Sequence, residues 1–81
     1  MQVKLYSTPT CVYCKLTRKF FEENNVQYTN IDVATDMKAA EEMIQKSGQM
    51  GVPVIVINKE GKEDIIVGFD RPKLSKALLI K

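Results

Sequence analysis

Apolar and polar positions alternate at the start of the chain. Val3, Leu5 and Tyr6 flank Lys4, and this predicts a short first strand. Ser7-Thr8-Pro9-Thr10 follows as a polar, proline-containing turn. The Thr10 hydroxyl is a predicted N-cap for the next segment. From about Val12 to Asn24 the pattern is helical. Leu16, Phe20 and Phe21 form its apolar face, and Lys15, Arg18, Lys19, Glu22 and Glu23 its solvated one. Asn24-Asn25 ends this helix. A second strand is expected within Val26 to Val33, with Tyr28 and Ile31 turned to the core. Thr35 or Asp36 then caps a second helix whose inward residues are expected to be Ala40, Met43 and Ile44, and Gly48 terminates it.

The pattern changes at Val52-Pro53-Val54-Ile55-Val56-Ile57, a nearly continuous β-branched run. Such a run suits a strand buried on both faces. Asn58-Lys59-Glu60-Gly61-Lys62 reads as a hairpin connection, Asp64 to Val67 as the return strand, and Gly68 as its break. Arg71 to Ile80 closes the chain as an amphipathic helix with Leu74, Leu78 and Leu79 inward. The predicted order is β-α-β-α-β-β-α. Strand–helix–strand implies parallel pairing, and the hairpin implies an antiparallel pair. No repeat, linker or low-complexity stretch divides the sequence, so residues 1–81 read as a single domain.

Composition narrows the function classes. With 44% apolar and 27% charged residues the chain suits a globular fold and not a disordered one. A net charge of +2 without a basic patch gives no reason to expect nucleic-acid binding. No apolar run approaches the ~20 residues of a membrane span, so no membrane partner is expected. The first residues read as a strand and lack a signal-peptide layout. A cytoplasmic location, and hence a reducing environment, is therefore expected, together with a monomeric state.

In that setting Cys11-Val12-Tyr13-Cys14 carries the chemistry. The only two cysteines stand three residues apart between a strand and a helix. A thiolate there can attack a disulfide, and the second thiol can release the mixed intermediate. Structural zinc needs about four ligands, and the chain has two cysteines and no histidine, so no metal site is expected from this chain alone. Cys11 at or near the N-cap faces the unpaired amides and the positive end of the helix dipole, which favour a thiolate. Thiols so placed ionise at roughly 3.5–7.5 instead of ~8.5. Cys11 is the expected nucleophile and Cys14 the resolving thiol. Two other readings of the pair remain open: inert buried cysteines, and an iron–sulfur cluster shared by Cys11 of two subunits.

Three segments together, Tyr6-Ser7-Thr8-Pro9-Thr10-Cys11-Val12-Tyr13-Cys14, Gly51-Val52-Pro53 and Gly68-Phe69-Asp70, resemble the glutaredoxin family in order and spacing over nearly the whole chain. The resemblance implies a thioredoxin-like fold, a four-stranded mixed sheet flanked by three helices (βαβαββα). It also implies a cis Val52-Pro53 peptide beside Cys11, where a proline at a strand start is the plainer reading. In that family the residue before the cis-proline, here Val52, pairs its backbone with the substrate's cysteinyl part. Gly68, Phe69 and Asp70 match the segment that holds the γ-glutamyl end of glutathione. Asp70 as a helix cap and Phe69 as a core residue are the alternatives. Tyr13 matches the family's common aromatic and lines the substrate groove, or is simply an exposed aromatic at a helix start.

Other positions depart from the family. Thr8 stands three residues before Cys11, and Gln49 four before Pro53, where many glutathione-using members carry cations for the glycine carboxylate. Each well-formed charge-assisted contact of that kind is worth ~1.5–3 kcal/mol. Val67 replaces the first glycine of the usual pair, and Val12 stands where many members have proline. The implied activity is dithiol–disulfide exchange on protein disulfides or glutathione mixed disulfides, with glutathione as reductant or co-substrate and no permanently bound cofactor. The alternative partner is thioredoxin reductase, as for the glutaredoxin-like electron donors of ribonucleotide reductase, the NrdH-redoxins. A third expectation is an iron–sulfur dimer ligated by glutathione.

Overall fold

In the computed structural model, which describes residues 2–78, the strand and helix order is the one the sequence pattern predicts. It runs β1 (Gln2–Ser7), α1 (Val12–Glu23), β2 (Thr29–Asp32), α2 (Met37–Ser47), β3 (Val54–Lys59), β4 (Lys62–Val67) and α3 (Arg71–Ala77). The four strands form one mixed sheet in the order β2-β1-β3-β4. β1 pairs parallel with β2, so α1 is the crossover that a parallel pair requires. β1–β3 and β3–β4 are antiparallel. This is the thioredoxin-like βαβαββα topology.

Local chemistry fixes the element ends. Asn25 takes a left-handed φ of 55° after α1, and the Val26 amide reaches back to the Phe21 carbonyl at 2.8 Å. Asparagine is among the few residues that tolerate this conformation. Asp36 caps α2, accepting from the Ala39 amide at 3.0 Å. Glu60 and Gly61 both have positive φ, as a two-residue primed turn needs. That turn joins Lys59 directly to its partner Lys62, so the return strand starts two residues before the expected Asp64.

β3 is the axis of the core. Ile55 and Ile57 face one side, where Phe20, Phe21 and Leu74 bring in α1 and α3. Val54 and Val56 face the other, against Tyr6 and against Ala39 and Met43 of α2. All four β3 residues are buried, which is why the run shows no alternation. Burial of each such side chain contributes roughly 1.5–3 kcal/mol. Tyr6 is buried yet satisfied, because its hydroxyl donates to Glu42 Oε1 at 2.9 Å.

Several expected positions differ. Leu16 is 41% exposed, and Thr17 is the buried residue of that turn. The Thr17 hydroxyl donates to the Tyr13 carbonyl at 2.8 Å, so its polar atom is paired within the helix. On α2, Ala39 is buried while Ala40 is only half-buried and Ile44 is exposed. Arg18 is half-buried and reaches Ser7 instead of solvent alone. Val52 lies outside the strand, which begins at Val54. α3 ends at Ala77 with Leu78 as its cap. The expected inward Leu79 and the extension to Ile80 lie outside the described residues.

Candidate active site

The end of β1 and the start of α1 are joined by a turn in which the Cys11 amide donates to the Thr8 carbonyl at 3.4 Å. That turn makes Cys11, and not Thr10, the N-cap of α1. Cys11 has extended backbone angles (φ −81°, ψ 117°), and its sulfur accepts from the Cys14 amide at 3.2 Å. A sulfur thus fills the place that an oxygen cap usually takes. The amide is one of the orphan donors at the positive end of the helix, and the Cys11 sulfur satisfies it.

The two thiols differ sharply in surroundings. Cys11 is partly exposed and Cys14 is fully buried; both are free. Burial pushes the Cys14 thiol up to about 11 from its ordinary 9.0, and its hydrogen bond with Cys11 pushes the same way. A backbone hydrogen bond from Thr8 and the Arg18 charge pull in the opposite direction. Cys14 therefore holds its proton at neutral pH.

The Val52–Pro53 peptide is cis. The Cys11 sulfur lies 3.9 Å from the Val52 carbonyl, within reach of a thiol donor. Behind it the Gly68 amide donates to the Pro53 carbonyl at 2.8 Å, and Val54 pairs with Val67. The start of β3 and the end of β4 thus bring Val52, Pro53 and Gly68 to the same end of the sheet as Cys11. Gly68 has φ +83°, which turns the chain away toward α3.

The remaining sequence-derived residues fall into separate roles. Asp70 caps α3, accepting from the Lys73 amide at 3.1 Å, and its second oxygen is 4.0 Å from Lys73 Nζ. Phe69 is half-buried and meets the Phe20 ring edge-on at 6.1 Å. Tyr13 and Val12 are 61% and 66% exposed beside Cys11. Thr8 is half-buried. The Gln49 side chain is turned onto its own loop: Oε1 accepts from the Gly51 amide at 2.7 Å and Nε2 donates to the Gly51 carbonyl at 2.9 Å. Among the described residues no three cysteine, aspartate or glutamate side chains converge as a metal-ligand set.

Sequence reasoning missed a polar group under the site. Ser7 is buried and donates to Asn30 Oδ1 at 2.7 Å, while Arg18 Nη1 approaches the same hydroxyl at 3.4 Å. The available signal was a serine ending an apolar strand, followed on the next helix by an arginine four residues after a cysteine. Only the fold brings Asn30 of β2 beside it.

The glutaredoxin family model matches residues 3–61. The chain belongs to the glutaredoxin family. A glutaredoxin-like 8.6 kDa protein of a rubredoxin operon in Clostridium pasteurianum, itself uncharacterized, is 45% identical over 76 residues, 94% of this chain and 96% of that one. Glutaredoxin 3 of Escherichia coli is 29% identical over 58 residues, 72% of this chain and 70% of its own. Among solved structures, a T8A mutant of the thioredoxin-like protein BC3987 superposes with a TM-score of 0.87 at 29% identity, covering 99% of this chain and 97% of that one. As a glutaredoxin with a two-cysteine site at the start of α1, the protein is a thiol–disulfide oxidoreductase.

Proposed function

We propose that this glutaredoxin is a dithiol enzyme that reduces protein disulfides and glutathione mixed disulfides, with Cys11 as nucleophile. The observation that carries the reading is the asymmetry of the thiols, one accessible at the helix N-cap beside Val52, the other buried and protonated. Cys11 reacts as the thiolate. It bonds to one substrate sulfur, the substrate S–S bond breaks, and the leaving thiolate takes a proton from water. Cys14 then yields its proton to solvent and attacks the Cys11 sulfur. The second substrate thiolate leaves, and the protein carries the Cys11–Cys14 disulfide. Two electrons have passed to the substrate.

Cys14 is suited to the later step. Its hydrogen bond and charge interaction with Cys11 both oppose ionisation, and both vanish once Cys11 enters a mixed disulfide. In this reading Val52 offers its backbone to the substrate's cysteinyl part, Tyr13 lines the groove, and the Gly68–Phe69–Asp70 turn takes the γ-glutamyl end of glutathione. Two glutathione thiols return the electrons and leave as glutathione disulfide. The protein acts as a monomer in the cytoplasm, where such a reductant is maintained.

A second reductant, thioredoxin reductase, is favoured by one observation: neither Thr8 nor Gln49 offers charge to a glycine carboxylate, and the Gln49 amide is engaged by Gly51. The experiment is to oxidise the protein and follow NADPH with glutathione plus glutathione reductase, then with thioredoxin reductase alone. Turnover with glutathione supports the first reading. Turnover confined to thioredoxin reductase replaces it with the second.

A further inference from the structure

We propose that Gln49 is a positioning residue: by bracketing Gly51 it sets the Val52 backbone for the substrate's cysteinyl segment. The inference rests on Val52 being the docking residue. The Gln49 side chain makes both hydrogen bonds that a neighbouring strand would make to Gly51, at 2.7 and 2.9 Å. Gly51 immediately precedes Val52, whose carbonyl faces the Cys11 sulfur. The backbone of Gln49 is tied in turn to the end of α2. The Ser47 hydroxyl donates to the Met43 carbonyl at 2.6 Å and receives the Gln49 amide at 3.4 Å. Helix α2 is thereby connected through Ser47, Gln49 and Gly51 to the loop beside the nucleophile.

Gly51 explains why the bracket closes. A Cβ built on Gly51 would stand 2.7 Å from Gln49 Oε1, with no other group nearer than Gln49's own atoms. Only a residue without a side chain leaves that amide its place. The obstruction is the far end of one flexible side chain, so Gly51→Ala displaces the Gln49 amide and little else. This gives two independent ways to break one contact. A glutamine that served instead as a direct anchor for substrate would be freed, not disabled, by Gly51→Ala.

The test is single-turnover reduction by the pre-reduced protein of two disulfides, a glutathionylated peptide and dithiobis(nitrobenzoate), which has no peptide backbone. Wild-type protein saturates at lower concentration with the peptide. Gln49→Ala and Gly51→Ala should each raise the half-saturating peptide concentration about fivefold, the lower end for two partly exposed neutral hydrogen bonds. Limiting rates and the aromatic disulfide should be unaffected. The double variant should be no worse than either single one, because both remove the same contact. Gln49→Glu, which keeps the acceptor for the Gly51 amide but loses the donor, should fall between. A Gly51→Ala variant equal to or better than wild type on the peptide overturns the proposal. So does an equal loss on both disulfides with a lowered Tm, which marks a general structural role. Wild-type protein that does not favour the peptide disulfide overturns the Val52 docking reading itself, a distinct result.

Discussion

The amide of Cys14 donates to the sulfur of Cys11 at 3.2 Å, so Cys14 holds the Cys11 sulfur with its backbone while its own side chain stays buried. In the proposed mechanism one residue thus serves the reaction twice, through two different atoms.

This arrangement predicts selective alkylation. At neutral pH a small excess of iodoacetamide should label Cys11 and spare Cys14, which is fully buried and has its thiol pushed up to about 11. Peptide mapping by mass spectrometry measures the ratio. Denaturation should make the two cysteines equivalent. Preferential labelling of Cys14 in the native protein would reverse the assignment of roles.

Removing each thiol should separate the two half-reactions. Cys11→Ser should abolish reduction of every disulfide. Cys14→Ser should lose most activity on protein disulfides yet keep activity on glutathione mixed disulfides, where external glutathione resolves the intermediate. It should also accumulate a mixed disulfide through Cys11, visible as added mass. Equal loss in both variants on the glutathione substrate would contradict this division.

Stability at alkaline pH should depend on redox state. In the unfolded chain Cys14 ionises near its ordinary 9.0, but in the fold only near 11. As pH rises from 9 to 11 the unfolded state therefore releases its proton first, and the folded state loses stability over that window. The oxidised protein has no thiol proton to lose. The Tm difference between oxidised and reduced protein should grow in favour of the oxidised form between pH 9 and 11. Tyr6, raised to about 12 mainly by burial, destabilises both forms above pH 10 and cancels in the difference. A Tm difference that stays flat over this range would mean that Cys14 is not protected in the folded protein.

Much of the fold was legible because local signals agreed with one another. The β-branched run and the glycine-containing hairpin turn each had a single structural solution, and the cap of α2 was narrowed to Thr35 or Asp36, of which Asp36 fills it. The misses came where tertiary packing chose among near-equal local options. Helical periodicity admits Leu16 or Thr17 to the inner face, and hydrophobicity favours leucine. The face that packs instead runs through Cys14, Thr17 and Phe21, all fully buried. Thr10 is the better cap by composition, but the turn closed by the Cys11 amide sets the cysteine there. Gln49 stands where many family members carry a substrate-binding cation, and its contact with Gly51 is silent in the sequence because it is made to a backbone with no side chain.

A missing charge can be restored. Thr8→Lys places a cation where the loop before Cys11 lacks one, on a half-buried position. The half-saturating concentration for glutathione mixed disulfides should fall about threefold at low salt, and less at high salt, since a partly exposed contact is screened. Initial-rate measurements at two ionic strengths check this. No change at either would show that partner choice is set elsewhere on the surface.

The sheet divides the interior into two apolar clusters, and the thiols stand beyond its end, where β1 and β3 have already given way to loops. A Cys11–Cys14 bond would span the first turn of α1, outside every strand of the sheet. A partner that docks at this end of the sheet therefore meets the bond that records the protein's oxidation state without reaching into either apolar cluster.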